Sequence, residues 1–186
     1  MVEAVTDGRI VAVLYVDPLG VYPRMRDVDC WDETRDARLY DGPHPVVAHP
    51  PCGPWSAMQK LSIKQPADCG LIAIDQVRRF GGVLEHPARS ILWVAGGLPR
   101  PGELPDTFGG RSIEVEQVRW GHVARKPTWL YCVGIHDAGI NPPKRTPTHW
   151  VGMKDRPSGL KWRSPQQRRR TPPAFAEWLV DLARSA

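Results

Sequence analysis

Val46-Val47-Ala48-His49-Pro50-Pro51-Cys52-Gly53-Pro54-Trp55-Ser56 reads as a short apolar strand that is halted by two prolines and delivers a cysteine. Proline has no amide hydrogen and a fixed φ, so it cannot pair in a central strand, and it stiffens the backbone that carries the thiol. A cysteine in that position is either a small packed hydrophobe, the common state of the residue, or a nucleophile held at the rim of a sheet. Its neighbours in sequence decide between the two.

Upstream, Ile10-Val11-Ala12-Val13-Leu14-Tyr15-Val16 is a continuous apolar run ending at Asp17-Pro18, the pattern of a strand covered on both faces. Downstream, Leu71, Ile74, Val77 and either Phe80 or Arg78 recur at helical spacing between Gln65 and Phe80, and Gly81-Gly82 ends the helix. Val83-Leu84-Glu85 follows as a short strand stopped by His86-Pro87. Strand, helix, strand is the βαβ unit of a parallel sheet, and its geometry brings Glu85 to the same carboxyl edge as Cys52.

Ser90 to Ala95 reads as one or two helical turns, Ile113 to Glu116 as a partly exposed strand and Thr128 to Gly134 as a strand of bulky residues. Thr171-Pro172-Pro173 opens a last helix with Phe175, Trp178, Leu179 and Leu182 on one face. The expected fold is therefore α/β: a single domain with a mostly parallel sheet. Residues 1–140 form its core, 141–170 a basic, proline- and glycine-rich loop or small subdomain, and 171–186 a helix packing back on the core.

The chain has 186 residues, 41% of them hydrophobic and 24% charged, the composition of a globular protein with one core. No window approaches the roughly 18 apolar residues of a membrane span, and Met1 to Arg9 has no signal-peptide core. A cytoplasmic setting with no membrane partner is expected. Cys30, Cys52, Cys69 and Cys132 form no CxxC pair, so reduced thiols are expected. The net charge of +5 is uneven: Lys154, Arg156, Lys161, Arg163, Arg168, Arg169 and Arg170 face only Asp155 in their segment. Such a stretch is either a solvated basic tail or a contact for a phosphate backbone, in which Lys161, Arg163, Arg168, Arg169 and Arg170 are the candidates.

Pro50-Pro51-Cys52 with Trp55-Ser56, followed by Leu84-Glu85-His86, resembles the Pro-Cys and Glu-Asn-Val motifs of the DNA cytosine-5 methyltransferase family. Gln117 to Gly134, with Trp120-Gly121, Lys126 and Thr128, is similar to the family's segment of two arginines before a strand, and Arg170-Thr171-Pro172 to its Arg-x-x-Thr-Pro segment. The order agrees with the family. The resemblance implies a Rossmann-like, methyltransferase-type domain acting on DNA or a pyrimidine nucleotide. In that chemistry a thiolate adds to C6 of a pyrimidine, C5 becomes enamine-like and attacks an electrophile, and a carboxylic acid near N3 stabilises the ring charge. Cys52 would be the nucleophile, Glu85 the ring-polarising acid, and Lys126 or His86 the cation that favours the thiolate. Pro51, Trp55, Ser56, His86, Trp120 and Thr128 would surround the substrate, with Trp55 or Trp120 stacking on a base flipped out of a duplex.

The chain also departs from the family. Gly53 replaces a glutamine, His86 an asparagine and Thr128 the second arginine. After Val16 comes Asp17-Pro18-Leu19-Gly20-Val21-Tyr22-Pro23 in place of a glycine-rich loop. Only about thirty residues then precede Pro50, room for a helix around Asp32 to Tyr40 but not for two further strands. The electrophile would be S-adenosylmethionine in a remodelled pocket lined by Asp17, Gly20 and Tyr22, or a folate-borne one-carbon unit. Gly20 to Pro23, Cys30-Trp31, His49 to Cys52 and Leu84 to Pro87 also resemble motifs of small tailed-phage proteins. Two rival readings are a binding module that has lost its cofactor and a zinc site of His44, His49, Cys52 and His86, whose spacing matches no familiar zinc pattern. Trp93, Trp129, Trp162 and Trp178, with the other three cysteines, are expected in packing roles.

Overall fold

The computed structural model describes residues 8–55, 68–139, 144–150, 157–162, 164, 167 and 169–186. Its elements run β1 (Val11–Leu14), β2 (Val28–Trp31), β3 (Val46–Ala48), α1 (Asp68–Phe80), β4 (Gly82–Pro87), α2 (Leu92–Ala95), β5 (Arg111–Glu116), β6 (Pro127–Val133), β7 (His149–Trp150), β8 (Lys161–Trp162) and α3 (Pro173–Arg184). A six-stranded sheet has the order β2-β1-β3-β4-β6-β5. Its first four strands pair in parallel, while β6 runs antiparallel to both β4 and β5. The protein is thus mixed α/β with a mostly parallel sheet, and β3-α1-β4 is the βαβ unit that the sequence indicates.

Side-chain alternation divides the core between the two faces of the sheet. Val13, Val47, Val83 and Leu130 meet Phe175, Ala176 and Leu179 of α3 on one face. Leu14, Ala48, Leu84 and Tyr131 meet Ala73, Ile74 and Val77 of α1, with Leu92 and Trp93 of α2, on the other. Leu14, Leu84, Leu130 and Leu179 are each 0% exposed, and burial of such a side chain stabilises by about 2 kcal/mol.

Several expectations shift. Between β1 and β3 a strand is present after all: β2 pairs with β1 from Val11↔Val28 to Leu14↔Trp31. In place of a helix over Asp32 to Tyr40 there is a 3-10 turn at Ala37–Leu39. The short chain suffices because β1 connects to β2 through a loop with one 3-10 turn, Tyr22–Arg24, and no crossover helix. On α1 the buried face is Cys69, Gly70, Ala73, Ile74, Gln76 and Val77, whereas Leu71 is 41% exposed. Gly70 explains the rotation: a Cβ there would stand 2.5 Å from Trp55 Nε1 and 2.8 Å from Leu92 Cδ1, so the bare backbone forms the contact face. Strand β4 runs on through His86 and Pro87, which pair with Trp129 and Thr128. Pro87 is tolerated because it ends its strand.

In the basic segment, β7 and β8 pair in parallel. The amides of Thr148 and His149 donate to the Val123 carbonyl at 2.9 and 3.0 Å, and His122 Nε2 lies 3.0 Å from the Gln167 carbonyl. Both anchors lie in the turn before β6, whose start is level with the end of β4. No helix among the described residues is long and apolar enough to cross a membrane.

Candidate active site at the carboxyl edge of the sheet

From β1 the chain moves outward to β2, then returns past β1 to β3 and β4. The strand order therefore switches between β1 and β3, and α/β sheets bind ligands outside the carboxyl ends of the strands at such a point. Tyr15, just after β1, has φ 61°, and Lys126, just before β6, has φ 40°. Bulky side chains occupy that region at a cost of about 1–3 kcal/mol, and such strain concentrates at functional sites.

Glu85 is the hub of this edge. His49 Nδ1 lies 3.1 Å from its Oε2, and Gln117 Nε2 donates to its Oε1 at 2.8 Å. Gln117 Nε2 also donates to Thr128 Oγ1 at 3.0 Å, and that hydroxyl donates to the Lys126 carbonyl at 3.1 Å. The second nitrogen of His49, Nε2, lies 2.7 Å from the Tyr22 hydroxyl. The His49 and Glu85 side chains are only 13% and 12% exposed. Burial raises the pKa of Glu85, but the His49 hydrogen bond and the Lys126 charge outweigh it and hold the carboxyl at about 2, below its ordinary 4.5. Glu85 is therefore a standing carboxylate, not the carboxylic acid expected from the resemblance.

Cys52 lies beyond Pro50 and Pro51, and its carbonyl accepts from the Trp55 amide at 3.2 Å in the 3-10 turn Gly53–Trp55. The residue is exposed. Desolvation of the thiol and then the Glu85 charge raise its pKa, while Lys126 and Arg169 pull it down. Lys126 and Arg169 are thus within electrostatic reach of Cys52, but they do not win: the resting group is a thiol. Lys126 Nζ also reaches the Arg170 carbonyl at 3.5 Å, which brings the end of the basic segment to this edge. Arg169, Arg170 and Lys161 are exposed.

Other expected site residues lie elsewhere. His86 follows Glu85 in β4, so its side chain passes to the opposite face of the sheet. There it is 1% exposed, with its ring centroid 6.4 Å from that of Trp93. Trp120 is half-buried and packs on Phe175 and Trp178 at centroid distances of 5.1 and 4.7 Å, against the α3 core. Thr128 is buried and holds Gln117 rather than a substrate. Pro51 is half-buried beside Cys52. Trp55 is half-buried against the α1–α2 face, its Nε1 buried without a hydrogen bond. Ser56, Arg163 and Arg168 lie outside the described residues.

The residues expected to line a donor pocket make local contacts. Asp17 Oδ1 accepts from the Leu19 amide at 2.9 Å and the Asp17 carbonyl from the Gly20 amide at 2.8 Å. A Cβ on Gly20 would stand 2.9 Å from that carbonyl, so glycine is needed to close this turn. Tyr22 belongs to the Glu85 network. Asp32, just after β2, accepts the amides of Thr34 and Arg35. The polar groups of both loops are satisfied locally. No group of three His, Cys, Asp or Glu among the described residues is placed to hold a metal ion.

Burial lowers the pKa of His86 from 6.5 to about 4, outweighing the Glu85 charge and a contact with the Pro51 backbone. The unfolded chain thus takes up a proton near pH 6.5 that the folded protein refuses until about pH 4. Stability therefore falls as pH drops through that window, by roughly 3 kcal/mol. Urea unfolding of wild type and His86→Leu at pH 7.5 and 4.5 is the check. The variant is expected to lose much less stability on acidification, and equal losses would mean that the ring is not the source.

His49 and Gln117 are the functional candidates that sequence reasoning passed over. In the sequence His49 stands out only as a candidate zinc ligand and as the start of the His49 to Cys52 motif, and Gln117 only as the first residue of a motif-like stretch. The signal for His49 was its position directly after β3, on the face opposite Ala48. No family model, curated protein or solved structure matches this chain.

Proposed function

We propose that this protein is a pyrimidine C5-modifying enzyme of the DNA cytosine-5 methyltransferase kind, acting through Cys52 on a base in DNA or in a nucleotide. One observation carries the reading: an exposed thiol at the end of β3 within electrostatic reach of a buried, ionised carboxylate at the end of the adjacent parallel β4. Addition forms the Sγ–C6 bond, the C5=C6 pair moves to C4–C5, and the C4=N3 pair moves onto N3, which gains the thiol proton. Glu85 takes that proton from Sγ and passes it to N3, then accepts hydrogen bonds from N3–H and the 4-amino group. The product is an enamine whose nucleophilic carbon is C5. Switching of the strand order at β1/β3 and the reversed β6 support a Rossmann-like, methyltransferase-type fold. A cytoplasmic, phage-type setting goes with the reading. The electrophile the resemblance implies is S-adenosylmethionine or a folate-borne one-carbon unit, and no residue is assigned to it.

The test uses pyrimidin-2-one, which lacks the 4-amino group and is therefore more electrophilic at C6, supplied in an oligonucleotide and as a nucleotide. Intact-mass analysis is expected to find an adduct on Cys52 in wild type and none in Cys52→Ala. No adduct with either substrate would remove covalent catalysis. The raised thiol and the donor-loop residues satisfied among themselves favour a second reading, a binding module gripping nucleic acid through Lys126, Arg169 and the basic segment. Under that reading electrophoretic DNA binding survives Cys52→Ala and no adduct forms in either protein.

A further inference from the structure

We propose that His49 is the positioning residue of this site, aligning Glu85 through Nδ1–H while the Tyr22 hydroxyl at Nε2 lets the imidazole gain or lose a proton without giving up either hydrogen bond. The identity of the reaction rests on the pyrimidine reading; the relay itself rests on the hydrogen-bond geometry around the ionised Glu85. An ionised carboxylate only accepts, so the nitrogen 3.1 Å from Glu85 Oε2 carries a hydrogen. The opposite nitrogen then has two states. When it is bare, the Tyr22 O–H donates to it across 2.7 Å; when it is protonated, it donates to the Tyr22 oxygen across the same distance. A hydroxyl can serve both states because it rotates.

The frame around the relay is fixed. His49 extends the β1–β3 ladder through its amide, which donates to the Leu14 carbonyl at 3.1 Å. Tyr22 opens a 3-10 turn, is 5% exposed, and sets its ring 5.2 Å from the imidazole. Glu85 is faced by His49 and Cys52 from the end of β3, by Tyr22 from the loop after β1, by Gln117 from the turn after β5, and by Lys126 beside β6. Arg169 acts on Cys52, and His86 adds a charge from the other face of the sheet only once it is protonated.

During addition one proton leaves Sγ and one arrives at N3, with Glu85 between them. Neutral His49 leaves the carboxylate more basic toward the thiol proton than protonated His49 does. Protonated His49 lowers that basicity and slows the transfer. The state of His49 thus sets the acid limb of the Cys52 reaction.

Two measurements on the intact chain decide the matter. In ¹⁵N-histidine NMR across pH, His49 is expected to keep Nδ1 protonated throughout while only Nε2 titrates; an Nε2–H tautomer at high pH would overturn the relay whatever the activity. Solvent exchange of the cytosine C5 hydrogen, which needs addition but no donor, is expected to fall tenfold or more on the acid side in wild type. His49→Asn keeps a donor toward Oε2 but cannot titrate, and should lose that limb; Tyr22→Phe should shift its midpoint. A uniform decrease with unchanged shape in both variants would reduce His49 to a structural part. Absence of exchange in wild type would count against the pyrimidine reading, and the NMR result would still decide the relay.

Discussion

Glu85→Gln is expected to lower Cys52-dependent exchange of the cytosine C5 hydrogen by about a thousandfold or more, because the ionised acceptor beside the thiol becomes a neutral amide. The substitution also disturbs the hydrogen-bond pattern. Oε1 and Oε2 each receive a donor, from Gln117 Nε2 and His49 Nδ1. A glutamine offers one acceptor and one NH₂, so one of those donors would face another donor. That leaves a buried polar group unsatisfied, which costs about 1–3 kcal/mol. In wild type the carboxyl sits at about 2 against an ordinary 4.5. Its contribution to stability is thus fully present above pH 4.5 and is lost as pH falls toward 2. Glu85→Gln should remove that lower acid dependence and leave the His86 window between pH 6.5 and 4 in place. Exchange rates with urea midpoints across pH measure both effects. Full exchange activity in the variant would sink the role given to Glu85.

Gly82→Ala is expected to be the most disruptive single change to the fold, by more than about 4 kcal/mol. Gly82 pairs with Val46 where β3 and β4 meet, and its φ is 113°, where an L side chain is strained. A Cβ there would stand 2.0 Å from the Val46 carbonyl oxygen. Backbone on both sides cannot yield as a flexible side chain would, so β3 and β4 must separate, and the spacing between Cys52 and Glu85 goes with them. Gly97→Ala is the contrast: φ is 60° but nothing lies within 4 Å, so only the backbone penalty of about 1–2 kcal/mol applies. Circular dichroism and thermal unfolding of the two variants should differ sharply. Similar midpoints would show that β4 can shift away from β3.

The apolar runs of β1 and β3, the Gly81-Gly82 stop and the proline start of α3 are local signals, and each element lies where its pattern puts it. The βαβ rule then carries Cys52 and Glu85 to one edge. Strand β2 was hidden because Val28-Asp29-Cys30-Trp31 is a half-buried edge strand without an apolar run, and its pairing with β1 supplies what its composition does not. The buried face of α1 was misread for a similar reason. Leu71 is the more hydrophobic residue, but contact with Trp55 and Leu92 selects the face where Gly70 lets them approach.

The sequence by itself determined the strand ends and the order of the chemistry along the chain: a proline-stiffened thiol, then a carboxylate one βα unit later. These follow from steric rules acting over a few residues. Only the tertiary structure decided what state those groups occupy. The side of the sheet that takes Glu85 and excludes His86, the hydrogen bonds from His49 and Gln117, and the arrival of Arg169 beside Cys52 join residues far apart in the chain. Ionisation depends on desolvation and on charges within a few ångströms, and those distances are set by packing rather than by neighbourhood in sequence. That is why the carboxylic acid expected at Glu85 is a carboxylate and the thiolate expected at Cys52 is a thiol.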